Sequence, residues 1–304
     1  MQIYDIIVVG AGPAGLTAAL YARRAEKSVL VLEKETFGGQ ITFSPKVENY
    51  PGMGEISGSE LGDKLLDGAV AHGADIELET VTGIRVEGDL RYVDTDCGSH
   101  ACRTVILATG SRHRPLGLDR EEELVGHGIS YCAVCDGAFY SGKKVAVIGG
   151  GNTALQDAML LADRCEKVTI VQNLGDLTGE KRLADLLRRN PRVEILCNYV
   201  AAELLGDGDL TGIRIRHTET GDTKDLTVDG VFVAIGQMPE NGAFASLVPL
   251  SEAGYLKADE TCTTPDPAIF AAGDCRTKAV RQVATAVGDG AVAAVAACRY
   301  LETH

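Results

Sequence analysis

The run Ile6-Ile-Val-Val-Gly10-Ala-Gly12-Pro-Ala-Gly15, continuing to Val29-Leu-Val-Leu-Glu33, decides the fold. It reads as a short apolar strand, a glycine-rich turn, a helix and a second apolar strand. Continuous apolar runs of this length belong to parallel sheets covered on both faces. The pattern returns without a gap 139 residues later, as Val145-Ala-Val-Ile-Gly149-Gly-Gly151-Asn-Thr-Ala154 and Val168-Thr-Ile-Val-Gln172. Small residues fill the first helix (Ala18, Ala19, Ala22, Ala25), so helix and sheet can approach closely. Each copy is the strand–turn–helix–strand opening of a dinucleotide-binding fold.

Further short strands end in glycine: Val105-Ile-Leu-Ala-Thr-Gly110, Val231-Phe-Val-Ala-Ile-Gly236 and Ile269-Phe-Ala-Ala-Gly273-Asp274. The span from Ile76 to Val105 reads as an antiparallel meander, with turns at Gly83, Gly88-Asp89 and Cys97-Gly98. Val193 to Val233 repeats that reading, with turns at Gly206-Asp-Gly-Asp209 and Gly221-Asp222. The pattern predicts a first domain over residues 1–112 and 243–304, closed by a C-terminal helix from Gly288 to Leu301. A second domain, 113–242, is inserted into it. The fold class is α/β, with two Rossmann-like dinucleotide-binding domains of the three-layer ββα type.

Composition narrows the function. The chain has 304 residues, 45% hydrophobic and 24% charged, which is a globular balance. Its 36 glycines are about 12% of the chain against an average near 7%, without a Gly-X-Y period, so they serve turns and close contacts. A net charge of −14 argues against a nucleic-acid partner or an anionic membrane surface. No apolar run approaches the ~18 residues of a spanning helix. The N-terminus enters a strand at once, without the basic region or cleavage site of a leader, so a cytoplasmic protein is expected. Nine cysteines, scattered and odd in number, fit a reducing compartment better than a disulfide framework.

In the first copy the glycines would let backbone N–H groups face a pyrophosphate at a helix N-terminus, and Glu33 would accept hydrogen bonds from a ribose. Pro13 fits the helix start, where its missing N–H is no loss. In the second copy Gln172 stands where Glu33 stands in the first. It can bond a ribose, yet lacks the charge that favours NAD, and a nucleotide site that has lost its ligand is the competing reading. No arginine follows in Gln172-Asn-Leu-Gly-Asp-Leu-Thr178, and Lys181 and Arg182 belong to the next helix. Cys132-Ala-Val-Cys135 can close a reversible disulfide, with Asp136 beside it to carry a proton. Half of a zinc site shared with Cys97, His100 and Cys102 competes, but Cys97-x4-Cys102 straddles a hairpin turn rather than a knuckle. No metal is expected.

These residues resemble the low-molecular-weight thioredoxin reductase family, over nearly the whole chain. The matching motifs are Gly10–Gly15, Gly38-Gly-Gln40, Val47-Glu-Asn-Tyr-Pro-Gly52, Ala108-Thr-Gly110, Cys132-Ala-Val-Cys-Asp-Gly137, Gly149–Ala154, Ala271-Ala-Gly-Asp274 and Arg281-Gln282. The resemblance implies FAD in the first domain, a redox disulfide in the second and a homodimer. The implied FAD site comprises Gly10, Gly12, Pro13, Ala14, Gly15, Glu33, Gly38, Gly39, Gln40, Asn49, Val81, Ala108, Thr109, Gly110, Gly273, Asp274, Arg281, Gln282 and Val283. Within it, Gln40 and Asn49 approach the flavin ring or ribityl chain, Asp274 the ribityl–phosphate region, and Arg281-Gln282 the phosphate and isoalloxazine. A nicotinamide nucleotide would meet Gly149, Gly151, Asn152, Thr153, Ala154, Gln172 and Gly236.

The resemblance further implies a path from a reduced donor to FAD, then to Cys132–Cys135, then by thiol–disulfide exchange to thioredoxin. Cys135 would face the flavin, Cys132 attack the substrate and Asp136 act as acid–base group, with the inserted domain rotating about its two crossings. Family members that use NADPH carry a His-Arg-Arg run and a further Arg where this chain reads Gln172-Asn173-Leu174 and Thr178. Recognition of the 2′-phosphate is therefore absent, and the expected donor is NADH or a non-nicotinamide reductant such as ferredoxin. A peroxiredoxin or glutaredoxin-like carrier is the alternative substrate, and a flavin-bound redox sensor the alternative outside enzymes.

Overall fold

A computed structural model describes residues 2–44 and 47–304. Its first strand, β1 (Ile3–Val9), buries Ile6, Ile7, Val8 and Val9 in succession, which is why the run has no polar alternation. The turn after it feeds α1 (Pro13–Arg24), and β2 (Val29–Glu33) pairs parallel to β1 with Val29 opposite Ile6. Next comes α2 (Gly58–Ala71), whose cap Ser57 accepts the Glu60 N–H through its side chain. β3 (Asp75–Leu78) then adds parallel to β2. β4 (Val81–Glu87), β5 (Leu90–Thr95) and β6 (Ser99–Leu107) run antiparallel to one another, and β6 returns beside β1.

Two expectations need correction here. Ile76 is not in the meander: it lies in β3 opposite Val31, because α2 delivers that strand as a parallel crossover. Gly83 is not a turn either. It sits inside β4 where the register shifts between Val81 and Gly83, a bulge that reads in sequence like a break.

After β7 (Arg112–His113) come α3 (Glu121–Leu124), β8 (Ile129–Ser130) and α4 (Ala133–Asp136). The second copy of the repeat follows as β9 (Lys144–Ile148), α5 (Asn152–Ala162) and β10 (Lys167–Gln172). α6 (Lys181–Arg189) leads to β11 (Val193–Cys197), which pairs parallel to β10 with Val193 opposite Val168. The second meander is therefore confined to β12 (Tyr199–Leu205), β13 (Gly212–His217) and β14 (Thr223–Thr227), since the α6 crossover makes β11 a sheet strand. β15 (Gly230–Val233) completes a parallel sheet of order β11-β10-β9-β15-β8. β16 (Gln237–Met238) pairs with β7.

The chain then adds β17 (Ile269–Ala271) parallel to β6 and ends in α7 (Val283–Thr303). That helix starts five residues before the expected Gly288, because Gln282 and Thr285 form a reciprocal capping box. The described residues divide into two compact units, Met1–Arg112 with Met238–His304, and His113–Gln237. In the first, α7 lies on α1 through small residues. A Cβ on Gly290 would stand 2.1 Å from the Ala14 carbonyl oxygen, so the helices meet backbone to backbone. Among the described residues no helix is long and apolar enough to cross a membrane.

Candidate functional site

In the first unit the carboxyl ends of β1, β2, β6 and β17 carry the predicted dinucleotide residues, the edge where open α/β sheets bind ligands. Gly10 follows β1 with φ +105°, and a Cβ there would stand 2.4 Å from the Ala108 carbonyl oxygen. A Cβ on Gly15 would stand 1.8 Å from the Gly10 oxygen. Gly12 differs: its nearest neighbour would be the Gly39 Cα at 4.0 Å, so this chain leaves that side open. The turn Gly38–Gly39 lies over it, tied down by the Gly38 N–H to the Ala11 oxygen at 2.8 Å.

Glu33 is buried at the end of β2. One carboxylate oxygen accepts the Ala11 N–H at 2.7 Å, and the other accepts the Lys34 and Glu35 N–H groups, each at 3.0 Å. Gln40 sits in the 3-10 turn Gly39–Phe43. Asn49 donates to the side-chain oxygen of Gln282 at 3.1 Å, bringing together two residues that the motifs name separately. Thr109 donates to Asn241 at 2.9 Å, a partner that sequence reasoning missed. Val81 opens β4, Val283 opens α7, and Gly110 and Gly273 both have positive φ. The Arg281 guanidinium donates to the carbonyls of Asp274, Lys278 and Arg276 and lies over the Tyr255 ring.

Asp274 is the clearest sign of a ligand. Its Oδ1 is buried without a hydrogen-bond partner, and burial pushes its carboxyl above the usual range. An unpaired buried polar atom is costly, so something outside the chain is expected to bond it. Behind it, Asp289 of α7 accepts from the Gly273 N–H at 2.9 Å, from Arg276 at 2.8 Å and from Lys278 at 2.9 Å. The residues present fit a dinucleotide, which the glycine turn and the unbonded Asp274 oxygen would hold.

The second unit repeats the turn. Gly149 has φ +130°, and a Cβ there would stand 2.4 Å from the Ala234 carbonyl oxygen, matching Gly10 against Ala108. Gly151 meets nothing within 4 Å, and Ala154 packs at the third fingerprint position. Gln172 is buried, and its amide faces inward: the oxygen accepts the Asn173 N–H at 3.1 Å and the nitrogen donates to the Asp176 carbonyl at 3.2 Å. The following loop folds back on the turn. Thr178 and Gly179 donate N–H groups to the Gly150 oxygen at 2.8 and 2.9 Å, and Asn152 accepts the Glu180 N–H at 2.7 Å. Thr153 is exposed beside Asn152, and Gly236 has φ +108° after β15.

Cys132 and Cys135 form a disulfide with Cα atoms 5.3 Å apart. Cys132 caps α4, and its sulfur accepts the Cys135 N–H at 3.1 Å, a donor that favours a thiolate there. Asp136 follows in the same helix. Its Oδ2 accepts the Ser130 hydroxyl at 2.6 Å, while Oδ1 is buried and has no hydrogen-bond partner. Burial raises the Asp136 pKa, and the Ser130 hydrogen bond offsets part of that rise. Sequence reasoning also missed the anchor one residue before the pair. Tyr131 donates to Glu121 at 2.7 Å and stacks on His113, and Glu121 is buried while accepting the Leu116 and Gly117 N–H groups.

The remaining cysteines differ in kind. Burial pushes the Cys102 and Cys262 thiols up to about 12 and Cys275 to about 11, so none supplies thiolate near neutral pH. His100 bonds Glu79 at 2.8 Å rather than a cysteine.

The family model of the pyridine nucleotide-disulphide oxidoreductases matches residues 4–290. A thioredoxin reductase of Listeria innocua is 41% identical over 302 residues, covering 99% of this chain and 95% of that one. The chain belongs to the pyridine nucleotide-disulphide oxidoreductases, in their thioredoxin reductase branch. The family's solved members include the Streptococcus pyogenes thioredoxin reductase, 38% identical, with a TM-score of 0.94 over 99% of both chains. A bifunctional thioredoxin reductase/thioredoxin of Mycobacterium leprae is 39% identical over 305 residues, covering 99% of this chain and 67% of that one. The enzyme is an oxidoreductase with two dinucleotide-binding domains, as the repeat predicts.

Proposed function

We propose that the protein is a flavin-dependent disulfide reductase that transfers electrons from a reduced donor through FAD and Cys132–Cys135 to thioredoxin. The observation that carries this reading is a disulfide flanked by Asp136, whose buried carboxyl keeps one oxygen unbonded. FAD would be held by the Gly10–Gly15 turn, Glu33, Gly38–Gln40, Asn49, Asp274 and Gln282, and when bound supplies a two-electron carrier. Residues up to Arg112 and from Met238 onward would form its domain, the chain returning at Met238 rather than at the expected 243, and His113–Gln237 would form the domain of the disulfide.

Once the pair is reduced, the Cys132 sulfur attacks one sulfur of the substrate disulfide. Cys135 then displaces the mixed disulfide and restores the Cys132–Cys135 bond. Asp136 holds the proton that leaves each enzyme thiol and returns it to each departing substrate sulfur. The enzyme dithiol thus gives two electrons and two protons to the substrate.

Thioredoxin is favoured over a peroxiredoxin or glutaredoxin-like carrier because the M. leprae relative carries thioredoxin in the same chain. The donor is proposed to be NADH or a non-nicotinamide reductant, since the Gln172 amide is bonded at both ends to its own loop. A homodimer and a cytoplasmic setting complete the proposal, the latter supported by seven unpaired cysteines among the described residues, five of them buried. The test is anaerobic reduction by NADH, NADPH or reduced ferredoxin, followed by turnover of oxidised thioredoxin. A flavin-loaded protein that reduces no disulfide carrier would be the sensor instead.

A further inference from the structure

Ser130 is the last residue of β8 and only 3% exposed. A buried hydroxyl must place its one proton and its lone pairs. This one donates to Asp136 Oδ2 at 2.6 Å and accepts the Cys132 N–H at 3.1 Å. A single side chain thereby joins the proton-carrying carboxyl to the backbone of the attacking cysteine.

We infer that Ser130 is a positioning residue for disulfide exchange, holding Asp136 so that Oδ1 is the atom that carries the proton. The inference rests on the reading of Cys132–Cys135 as the exchange disulfide. The hydroxyl proton has two acceptors in reach, the Cys132 carbonyl at 3.4 Å and Asp136 Oδ2 at 2.6 Å, and the nearer carboxylate oxygen is the stronger one. With Oδ2 engaged, a proton arriving at the carboxyl goes to Oδ1, the oxygen left unbonded.

The exchange then balances through one atom. Oδ1 takes the Cys132 thiol proton as the Cys132 sulfur bonds to one substrate sulfur and the substrate S–S bond breaks. The expelled substrate thiolate takes that proton. Oδ1 next takes the Cys135 thiol proton as Cys135 attacks Cys132, and passes it to the second substrate thiolate. The enzyme dithiol is oxidised and the substrate disulfide reduced.

The surroundings give the pH dependence its sign. Tyr140, in the turn after Asp136, has its phenol pushed up to about 12 by burial and by the Asp136 charge. α5 packs against α4 and carries Asp157, which burial pushes up to about 6. Burial already raises Asp136, while the Ser130 hydrogen bond favours its ionised form. Removing the hydroxyl therefore moves the Asp136 titration further up, and the acidic limb of the exchange rate moves to higher pH.

The test uses protein reduced with dithiothreitol and freed of it, as wild type, Ser130→Ala and Ser130→Thr. Single-turnover exchange with oxidised thioredoxin is followed across pH, in parallel with alkylation of Cys132 by iodoacetamide. Ser130→Ala is expected to slow exchange about tenfold at neutral pH, the weight of one hydrogen bond to a charged group. Its acidic limb is expected to move up in both assays, and Ser130→Thr to restore both. In an Asp136→Asn background the serine substitution should change nothing further. Wild-type limbs in a folded Ser130→Ala protein would overturn the inference, as would an unchanged serine effect without Asp136. A shifted alkylation limb in a protein whose wild type exchanges with no disulfide carrier would instead overturn the functional reading alone.

Discussion

Donor selectivity can be worked from the loop after β10. NADPH exceeds NADH by a 2′-phosphate, and charge-assisted bonds to it contribute roughly 1.5–3 kcal/mol each. The loop from Asn173 to Thr178 carries one charge, Asp176, which is paired with Arg188. Arg188 also bonds Asp185 at 3.3 Å, so its guanidinium is already engaged. Lys181 and Arg182 are exposed on α6. With no free guanidinium in the loop, the preference for NADPH should stay below tenfold, or ~1.4 kcal/mol. Two substitutions probe the reasoning. Asp176→Asn removes a negative charge and leaves Arg188 held by Asp185 alone, and both pairs are exposed, so the gain should be only about two- to fivefold in the kcat/KM ratio. Thr178→Arg places a guanidinium at an exposed position and should raise the ratio about tenfold or more, less at high salt. The assay is steady-state kinetics with both nucleotides at fixed ionic strength, with flavin reduction followed anaerobically. A wild-type kcat/KM for NADPH a hundredfold above that for NADH would refute the reasoning. So would a folded Thr178→Arg enzyme with an unchanged ratio.

Three further outcomes are expected. Cys132→Ser and Cys135→Ser should each abolish reduction of thioredoxin in a coupled assay, whereas single replacement of Cys97, Cys102, Cys165, Cys197, Cys262, Cys275 or Cys298 should leave turnover intact. The purified protein should be yellow with bound FAD, and Asp274→Ala should lower the flavin-to-protein absorbance ratio after dialysis; a folded, colourless wild type would contradict the cradle. Asp289→Asn should cost about 3 kcal/mol in denaturant unfolding, because it leaves Lys278 buried without its counter-charge and Arg276 with only the exposed Glu260. Burial pushes the Asp289 carboxyl up, but Arg276 and Lys278 outweigh it and hold it below the usual range. Its stabilisation is therefore present above the unfolded carboxylate pKa of about 3.9 and lost as pH falls through the lower folded value.

What was legible in the sequence is what local chemistry writes there. Gly10 and Gly149 are forced by a positive φ and by a carbonyl 2.4 Å from any Cβ, so strand, turn and helix could be read from spacing. The Cys132–Cys135 pair and Asp136 were legible because exchange needs them in one short segment. Ser130 was not, since a serine at a strand end has many roles and its bond to Asp136 appears only when α4 folds back. Nor could spacing show Asp289 beneath Gly273, or Glu121 beneath Tyr131, because burial and long-range packing pair them. Gly83 misled for the opposite reason: a strand glycine at a bulge has the same local signature as a turn.

The two copies of the repeat also show why fingerprints alone do not assign a cofactor. Both turns have the same backbone constraint, and both leave the middle glycine open, at Gly12 and at Gly151. In both, the loop after the second strand bonds the carbonyl of the turn's second residue, Gly38 to Ala11 in the first copy and Thr178 with Gly179 to Gly150 in the second. They differ at the end of that strand. In the first, the Glu33 carboxylate accepts the Ala11 N–H of the turn itself. In the second, Gln172 turns its amide to the loop, bonding Asn173 and Asp176. The second turn is thus held by the segment that would have to recognise a nucleotide's adenosine end. We therefore expect its ligand preference to follow residues 173–178 rather than the glycines, and selectivity to respond to Asp176 and Thr178 while the Gly149–Ala154 motif stays unchanged.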